Sequence, residues 1–471
     1  MTLAGAQRRQ ILTVLMTSLL LDLISFTFIL PLFPSLLSFY HAQDPSPDSF
    51  LNRIFHYLNA YKNSFARPID SQYDIVLLGG ALGSLFSLLQ AIAAPVIGRL
   101  SDRVGRKRTL LYSLIGNIWS VTLWVAAIDF RTFLASRVVG GLSEGNVQLA
   151  NAIAADISDE SHRGATMALV GACFSIAFTF GPALGAALSS VKIVEANPFI
   201  VAASVSLALI LAEFVFVYVC LPETHPRFTT LREGDPVSWI HCKKSPAEIR
   251  TQVQAQTPNQ ENKPKDKSSA QLSATKHTNN PSFLNAVHFL FLVPFSGLEF
   301  SLPFLTATLY ANTTTAGSPA ALNGRLLSLM GLIASLLQGT AVRRLPPLLT
   351  VRAGVVACAI SFFLLARVSS IAGLYAAGSL LAVTSATVVT GLNSLGSFEA
   401  RDADRGAVMG RLRGWGQAGR ATGPIVFCSL YWWAGRHAAY TAGGAAMVAV
   451  AGAVFILLKS PVPEKRSEKK A

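Results

Sequence analysis

Ionisable side chains occur in the middle of several long apolar stretches of this sequence. A carboxyl group can bind and release a proton, and a guanidinium can hold an anion by charge-assisted hydrogen bonds. A charged group in an apolar, membrane-like stretch is costly, so each one indicates a function or a charged partner. The carboxyl candidates for proton binding are Asp22, Glu144 and Glu299, and the candidates for solute binding are Arg137, Arg413, Gln417 and Arg420.

The spacing of these residues predicts which of them lie together. Arg137 and Glu144 are seven positions apart, as are Arg413 and Arg420. Seven residues make two helical turns, so each pair is expected to share one helix face.

The interior residues differ in the roles that we expect. Asp22 and Glu299 are the leading candidates for reversible protonation, because burial disfavours the charged form of a carboxyl group. Arg137 is expected to act more as structural support than as a ligand for a solute. Glu213 leaves two readings open, a structural pair or a residue beyond a misjudged helix end.

The elements that carry these side chains are predicted to be membrane-spanning helices. Of the 471 residues, 51% are hydrophobic and 14% are charged, against roughly 25% charged residues in soluble domains. A spanning helix needs about 20 mostly apolar residues. Twelve such segments can be placed, at 11–36, 75–97, 109–128, 132–155, 164–189, 198–221, 283–309, 324–343, 350–368, 371–397, 407–433 and 438–458.

The basic residues predict the orientation of these spans. The formal net charge is +14, which could indicate nucleic acid, but the lysines and arginines cluster between apolar segments as in cytoplasmic loops. We therefore expect a multi-pass integral membrane protein with both termini in the cytosol, a lipid bilayer around it and no nucleic-acid partner. The plasma membrane and an internal membrane both stay open.

The polar segments divide the chain into bundles. Residues 222–282 are rich in Gln, Asn, Lys, Ser and Thr, which predicts a disordered cytosolic linker. The expected domains are a six-helix bundle at 1–221, this linker, a second six-helix bundle at 283–460 and a basic tail at 461–471. Residues 38–72 are expected to form a polar outer loop.

The two predicted bundles resemble each other in sequence. The segment from Arg163 reads RGATMALVGACFSIAFTFGP, and the segment from Arg405 reads RGAVMGRLRGWGQAGRATGP. They share their first three residues, a methionine four positions after the arginine, and a final Gly-Pro. The fifth span therefore corresponds to the eleventh, as in transporters built from parallel six-span repeats.

A dense group of charges separates the second span from the third. The stretch reads GRLSDRVGRKR, and it closely resembles the signature loop of the major facilitator superfamily at the same place in a twelve-span chain. Positive-inside charge alone would explain the arginines, but it would not explain the acid or the glycines. The resemblance implies a gating motif made of Gly98, Asp102, Arg103, Gly105, Arg106 and Lys107.

Other segments resemble the drug/proton antiporter group of this superfamily. The fifth span contains GACFSIAFTFGPALG, which is similar to the antiporter motif of that group through Gly171, Gly181, Pro182 and Gly185. The segment SFLNAVHFLFLVPFSGLEFSLPFLT and the long first outer loop are most like its tetracycline-transporter-like, organic-anion members.

The resemblance implies an all-α major facilitator fold, with twelve transmembrane helices in two six-helix pseudo-repeats around a central cavity. It implies a monomeric, proton-coupled antiporter that exports small organic anions or drug-like amphipathic solutes by alternating access. A facilitative uniporter and a non-transporting receptor or scaffold stay open as alternatives. We expect no enzymatic activity, no cofactor and no metal.

The resemblance also implies how the gating motif works. In the family, the acid of the motif meets the amino terminus of the eleventh span when the cytosolic side is closed. The corresponding loop after the eighth span reads GTAVRRLPP and has no acid. The contact between the halves is therefore expected to be asymmetric.

Overall fold

The computed structural model describes residues 5–29, 32–43, 46, 48–64, 74–189, 191, 197–228, 278–311 and 319–461. All regular secondary structure in these ranges is helical, which confirms the all-α prediction. The fifteen helices are α1 (Gly5–Thr27), α2 (Phe33–Gln43), α3 (Phe50–Asn63), α4 (Asp74–Val104), α5 (Arg106–Val125), α6 (Phe130–Ser143), α7 (Asn146–Asp156), α8 (Glu160–Ser189), α9 (Ile200–Cys220), α10 (Pro281–Ala311), α11 (Pro319–Gly339), α12 (Pro347–Arg367), α13 (Ile371–Phe398), α14 (Arg405–Ala434) and α15 (Arg436–Leu457).

Ten of the predicted spans correspond to single helices, α4, α5 and α8 to α15. Among the described residues, eight helices are long and apolar enough to cross a membrane by length and composition. The helices α5, α11 and α14 fall short of that threshold and carry polar or charged residues along their length. Neighbouring helices cover such residues in a membrane bundle.

The fourth span is interrupted, and the prediction of one helix over 132–155 is wrong. The helix α6 ends at Ser143, Glu144 has an extended backbone with φ −66° and ψ 93°, and α7 begins after Gly145. The Gly145 N–H donates a hydrogen bond of 2.8 Å to Ser113 Oγ on α5. This side chain satisfies a backbone group that the break would otherwise leave unpaired within the membrane.

The first span also departs from its prediction. The expected helix over 11–36 divides into α1 and α2, and Pro31 at the junction lies outside the described residues. The predicted outer loop at 38–72 contains the end of α2 and the whole of α3. Ser49 caps α3 by accepting a hydrogen bond of 3.1 Å from the Asn52 N–H, and α3 buries Leu51 and Phe55.

Both ends of the described chain lie at the end of the bundle that carries Gly98–Lys107, which we call the motif end. Near the start of α1, Arg8 donates a hydrogen bond of 3.2 Å to Thr166 on α8. Beyond α15, the Lys459 N–H donates one of 2.8 Å to Asn279, which precedes α10. This arrangement agrees with an even number of spans.

Most buried apolar side chains form separate clusters in the two parts of the chain, and one small cluster joins Ala168 to residues of the second part. One large cluster takes all its members from residues 284–458 except Ala152. Two others take theirs from residues 11–221 and 29–210. These clusters agree with two bundles, while most of the predicted linker and the last ten residues of the predicted tail lie outside the described residues. The domain boundaries stay a prediction.

The helix α14 packs between α4 and α10, because glycines on two of its sides leave room for both. A Cβ atom on Gly98 of α4 would overlap the Gly406 carbonyl oxygen and would lie 3.1 Å from the Gly410 Cα. On the other side, a Cβ atom on Gly419 would meet Phe289 of α10. The close backbone approach expected at Gly98 is therefore present.

We expect Gly98→Val to separate α4 from α14 at the motif end, because the added side chain has no space. Overpacking of this kind costs about 1–3 kcal/mol. Gly83→Val is the matched control on the same helix, since a Cβ atom there meets nothing within 4 Å. The measurement is the melting temperature of the purified protein. Equal losses in the two variants would show that the close contact does not limit stability.

Candidate functional site

The amino terminus of α14 is capped by a carboxylate from the other half of the chain. Asp102 Oδ1 accepts a hydrogen bond of 2.8 Å from the Gly406 N–H, and Asp102 Oδ2 accepts one of 2.7 Å from the Ala407 N–H. Backbone N–H groups at a helix start have no partner within the helix, and the helix dipole favours an anion there. The predicted contact between Asp102 and the eleventh span is therefore present.

A chain of four charged side chains continues from this cap. Arg106 donates hydrogen bonds of 2.7 Å to Asp102 and 2.8 Å to Asp156 at the end of α7. Asp156 also accepts one of 2.6 Å from Arg405, the first residue of α14. The side chains of Arg106 and Asp156 are fully buried, and Arg405 is 4% exposed. Asp102 and Asp156 thus bind the same end of α14 from two different helices.

Asp156 is a central residue of this charged chain that the sequence prediction did not include. Asp156 is the last residue of an apolar helix, and no local motif marks it. Its partner Arg405 lies far away in the sequence. The internal repeat offers a sequence signal. Arg163 and Arg405 are corresponding residues, and the residue seven positions before each is Asp156 in the first copy and Phe398 in the second.

The corresponding contact of the other repeat has a different chemistry. The Arg163 guanidinium lies over the Phe398 ring at 4.9 Å, and its Nη1 donates a hydrogen bond of 3.2 Å to the Ser397 carbonyl oxygen. Arg163 belongs to α8 and Phe398 to α13, so this contact also joins the two parts of the chain. One repeat therefore uses an ion pair where the other uses a cation–π contact. The asymmetry predicted for the loop after the eighth span stays a prediction.

The remaining motif residues hold the turn between α4 and α5. Gly105 has φ +108°, a conformation that side chains rarely adopt. Glu223 accepts hydrogen bonds from the Arg106 and Lys107 N–H groups at 2.8 and 3.2 Å, and so caps α5. Lys107 Nζ donates one of 2.8 Å to the Tyr218 carbonyl oxygen, whereas Arg103 is exposed.

A histidine beyond α9 lies beside the cap without adding charge to it. His225 Nε2 is 4.0 Å from Asp102 Oδ1, and the side chain is 2% exposed. Burial, followed by the positive charge of Arg106, lowers the pKa of His225 below its usual value. The imidazole is therefore neutral at pH 7, and Arg106 is the cation that Asp102 contacts directly.

The interior of the second half contains the two predicted arginines on one continuous helix, α14. Arg420 Nη2 lies 3.6 Å from Glu299 Oε2 of α10, and these side chains are 42% and 35% exposed. Arg413 donates hydrogen bonds of 2.8 and 3.1 Å to Gln417, with the amide oriented so that its oxygen faces the guanidinium. Arg420 and Glu299 thus form a loose pair that faces accessible space.

The interior of the first half contains a small cavity of about 30 Å³, lined by both apolar and polar side chains. A cavity of this size has room for about two water molecules, which its polar side chains could hold. Its lining includes Asp22 on α1, Glu144 at the break between α6 and α7, and Arg137 on α6. Glu144 accepts a hydrogen bond of 3.2 Å from Asn117, and it lies within electrostatic reach of Arg413.

The predicted pairing of Arg137 with Glu144 along one helix face is wrong, because α6 ends before Glu144. Arg137 is 8% exposed, and its guanidinium lies over the Trp124 and Phe133 rings at 5.8 and 5.5 Å. These contacts agree with a supporting role. Both residues nevertheless line the same cavity.

The predicted antiporter motif of the fifth span lies on α8 and packs against both halves. Cβ atoms on Gly181 and Gly185 would meet Thr27 and Phe28, where α1 ends. A Cβ atom on Gly171 would meet Gln338 of α11 and Thr390 of α13. Pro182 lies inside α8. The small residues thus allow close approach, as expected, while their role in transport stays a prediction.

A buried histidine was also missing from the sequence prediction. His288 on α10 is 2% exposed, and its Nδ1 lies 2.9 Å from the Leu412 carbonyl oxygen of α14. It holds α10 against the segment that carries Arg413. The sequence could have indicated it, because His288, like Glu299, is an ionisable residue within an apolar segment.

Bundles of spanning helices with interrupted helices beside ionisable groups are typical of secondary transporters. The sequence matches the family model described as Major Facilitator Superfamily over residues 15–424. A mouse relative, named major facilitator superfamily domain-containing protein 10, is 34% identical over 98% of this chain and 96% of its own length. The chain therefore belongs to the Major Facilitator Superfamily, and it is a multi-pass membrane transporter.

Two further comparisons agree with this assignment. The crystal structure of the human organic anion transporter MFSD10 (TETRAN) is 31% identical, has a TM-score of 0.76, and covers 95% of this chain and 99% of its own. The class C tetracycline resistance protein of Escherichia coli is 34% identical over 34% of this chain and 39% of its own length.

We expect Asp102→Asn to fold but to transport slowly. The amide replaces one acceptor oxygen by an NH₂ group, which would face an N–H of α14 or the Arg106 guanidinium. A hydrogen bond to a charged group contributes about 1.5–3 kcal/mol, so closure of the motif end is weakened. Arg99→Gln is the control, because Arg99 is exposed and bonds to the Pro95 carbonyl oxygen of its own helix. The measurement is the initial rate of solute transport in proteoliposomes, and a wild-type rate for Asp102→Asn would contradict the expected gating role.

Proposed function

We propose that the protein exports small organic anions or drug-like amphipathic solutes in exchange for protons, as a monomer whose motif end faces the cytosol. The observation that carries this proposal is the loose pair of Arg420 and Glu299. A substrate carboxylate can replace Glu299 at the guanidinium, because the pair is long at 3.6 Å and both groups are accessible. Arg413 lies two turns away on the same helix and supplies a second positive charge.

The proton site of the proposal is the cavity in the first half. Asp22 is 2% exposed and lines this cavity together with Glu144. A fixed charge in the membrane interior costs at least about 2.5 kcal/mol on insertion scales. The protonated, neutral form of Asp22 is therefore favoured when the cavity contains no water. Asp22 and Glu144 belong to the first half, whereas Arg413 and Arg420 belong to the second, so proton and anion need not compete for the same atoms.

The relatives support the substrate class. The human structure is described as an organic anion transporter, and the bacterial relatives are named for tetracycline resistance. Arginines facing accessible space suit such solutes, because a guanidinium binds carboxylates in a bidentate geometry. The basic residues clustered at the motif end support the cytosolic orientation.

We expect Asp22→Asn to abolish transport driven by a pH gradient while leaving downhill exchange of the anion. The neutral amide imitates the protonated carboxyl and permits the conformational change without proton release. Glu299→Gln should change the KM for the anion more than the coupling, because it alters the partner of Arg420. The measurement is the accumulation of fluorescein, used as an organic-anion probe, in proteoliposomes with and without an imposed pH gradient. The control is Arg411→Gln, because Arg411 is exposed on α14.

Four results would contradict parts of this proposal. If Glu299→Gln loses gradient-driven accumulation and Asp22→Asn keeps it, the two assignments are reversed. If both variants keep gradient-driven accumulation, proton coupling through these carboxyls is wrong. If fluorescein uptake by the wild type does not depend on the pH gradient, the protein is a uniporter. Stimulation only when protons and anion move in the same direction would indicate cotransport instead of exchange.

A further inference from the structure

A polar seam joins α1 to α9 inside the first half of the bundle. Ser18 on α1 donates a hydrogen bond of 2.7 Å to Glu213 Oε1 on α9. Two turns further along, Ser25 and Ser206 share one of 2.6 Å. Asp22 lies between Ser18 and Ser25 on the same face of α1, four residues after one and three before the other. The seam therefore places Glu213 one helical turn from Asp22 towards the motif end.

We propose that Glu213 is a second proton-carrying residue of the transport cycle, which holds a proton in the conformation seen here and exchanges it with Asp22. The inference rests on the proposed proton coupling and extends it to a buried residue of α9 that is not itself part of the cavity lining. In the exchange, the O–H bond of the Glu213 acid breaks and one forms on the Asp22 carboxylate. The two carboxyls then keep the same total charge.

The surroundings of Glu213 favour the neutral acid. The residue has no exposed surface. Its Oε1 atom accepts a hydrogen bond from Ser18, and its Oε2 atom is buried with no hydrogen-bond partner among the described residues. Within the described part of the chain, the charged groups within electrostatic reach of Glu213 are two further acids, Asp22 on α1 and Glu144 at the break of the fourth span. A buried carboxylate without a cationic partner is far more costly than a buried neutral acid.

The packing around the seam determines on which side Glu213 can exchange its proton. Between Glu213 and the motif end, α1 and α9 meet through Ile11, Leu15 and Val217, all 2% exposed or less. This apolar layer separates Glu213 from the motif end while that end is closed. On the other side, Ile210 and Ser206 of α9 line the same cavity as Asp22. Glu213 can therefore exchange its proton towards Asp22 but is shielded from the motif end.

A purely structural role for this side chain fits the contacts less well. A glutamine could accept the Ser18 hydrogen bond through its oxygen and would carry no ionisable group into the core. A glutamate at the same place adds the cost of a group that can become charged, with one oxygen unpaired. Reversible protonation accounts for the residue type, and helix packing alone does not.

The test is Glu213→Gln, measured in two ways. We expect the purified variant to lose the infrared carbonyl-stretch band of a protonated carboxylic acid that the wild type shows. In proteoliposomes we expect it to lose fluorescein accumulation driven by a pH gradient and to keep downhill exchange. An unchanged band, or full gradient-driven accumulation in the variant, overturns the proposal while the proposed antiport stands. A wild type that ignores the gradient overturns the antiport and this inference with it.

A second variant keeps the test valid if Glu213→Gln does not fold. Ser18→Ala removes the hydroxyl that stabilises the Glu213 carboxylate and leaves the acid in place, so the pH at which the band disappears should rise. The control is Ser361→Ala, which removes a buried serine hydroxyl that donates a hydrogen bond of 2.9 Å to the Ala377 carbonyl oxygen in the other half. Equal behaviour of the two serine variants overturns the proposal.

Discussion

The contact between Asp102 and the amino terminus of α14 is the interaction on which the arrangement of the two halves depends. It requires the backbones of α4 and α14 to approach without side chains between them, which glycines at 98, 406 and 410 allow. The ion pairs of Asp156 with Arg106 and Arg405 then fix the same helix end from α7. Because a buried ion pair becomes strongly unfavourable when one partner is lost, such a contact is well suited to two discrete states, closed and open.

Several interior charges lie on or beside the helices that meet at the Asp102 and Asp156 contacts, which form the proposed gate. The helix α14 carries Arg405 at the gate and Arg413 and Arg420 further along, so a movement of its first turn also moves the proposed anion site. The helix α7 ends in Asp156, and the break that precedes α7 carries Glu144. Each of these helices thus connects the proposed gate to an ionisable group in the interior, as the proposed alternating access requires.

Much of this organisation could be predicted from the sequence, because apolar length and local motifs are local properties. The positions of the spans, the gating motif and the Arg163 and Arg405 repeat are examples. The break at Glu144 could not be predicted, because the hydroxyl that stabilises it comes from Ser113 on another helix. Asp156 was missed for a similar reason, since its partners are distant in sequence. The helix α3 could have been predicted, because Leu51, Ile54, Phe55 and Leu58 recur at helical spacing.

The most direct test of the gate is a distance measurement at the motif end. Spin labels at positions 108 and 401, which are exposed on opposite halves, report the separation of the halves in lipid nanodiscs, with the native cysteines replaced. We predict a population with a short distance for the otherwise wild-type protein, and a shift towards longer distances when Asp156→Asn is added, because Arg106 and Arg405 lose their shared partner. An identical distance distribution in both proteins would contradict the account that these charges hold the motif end closed.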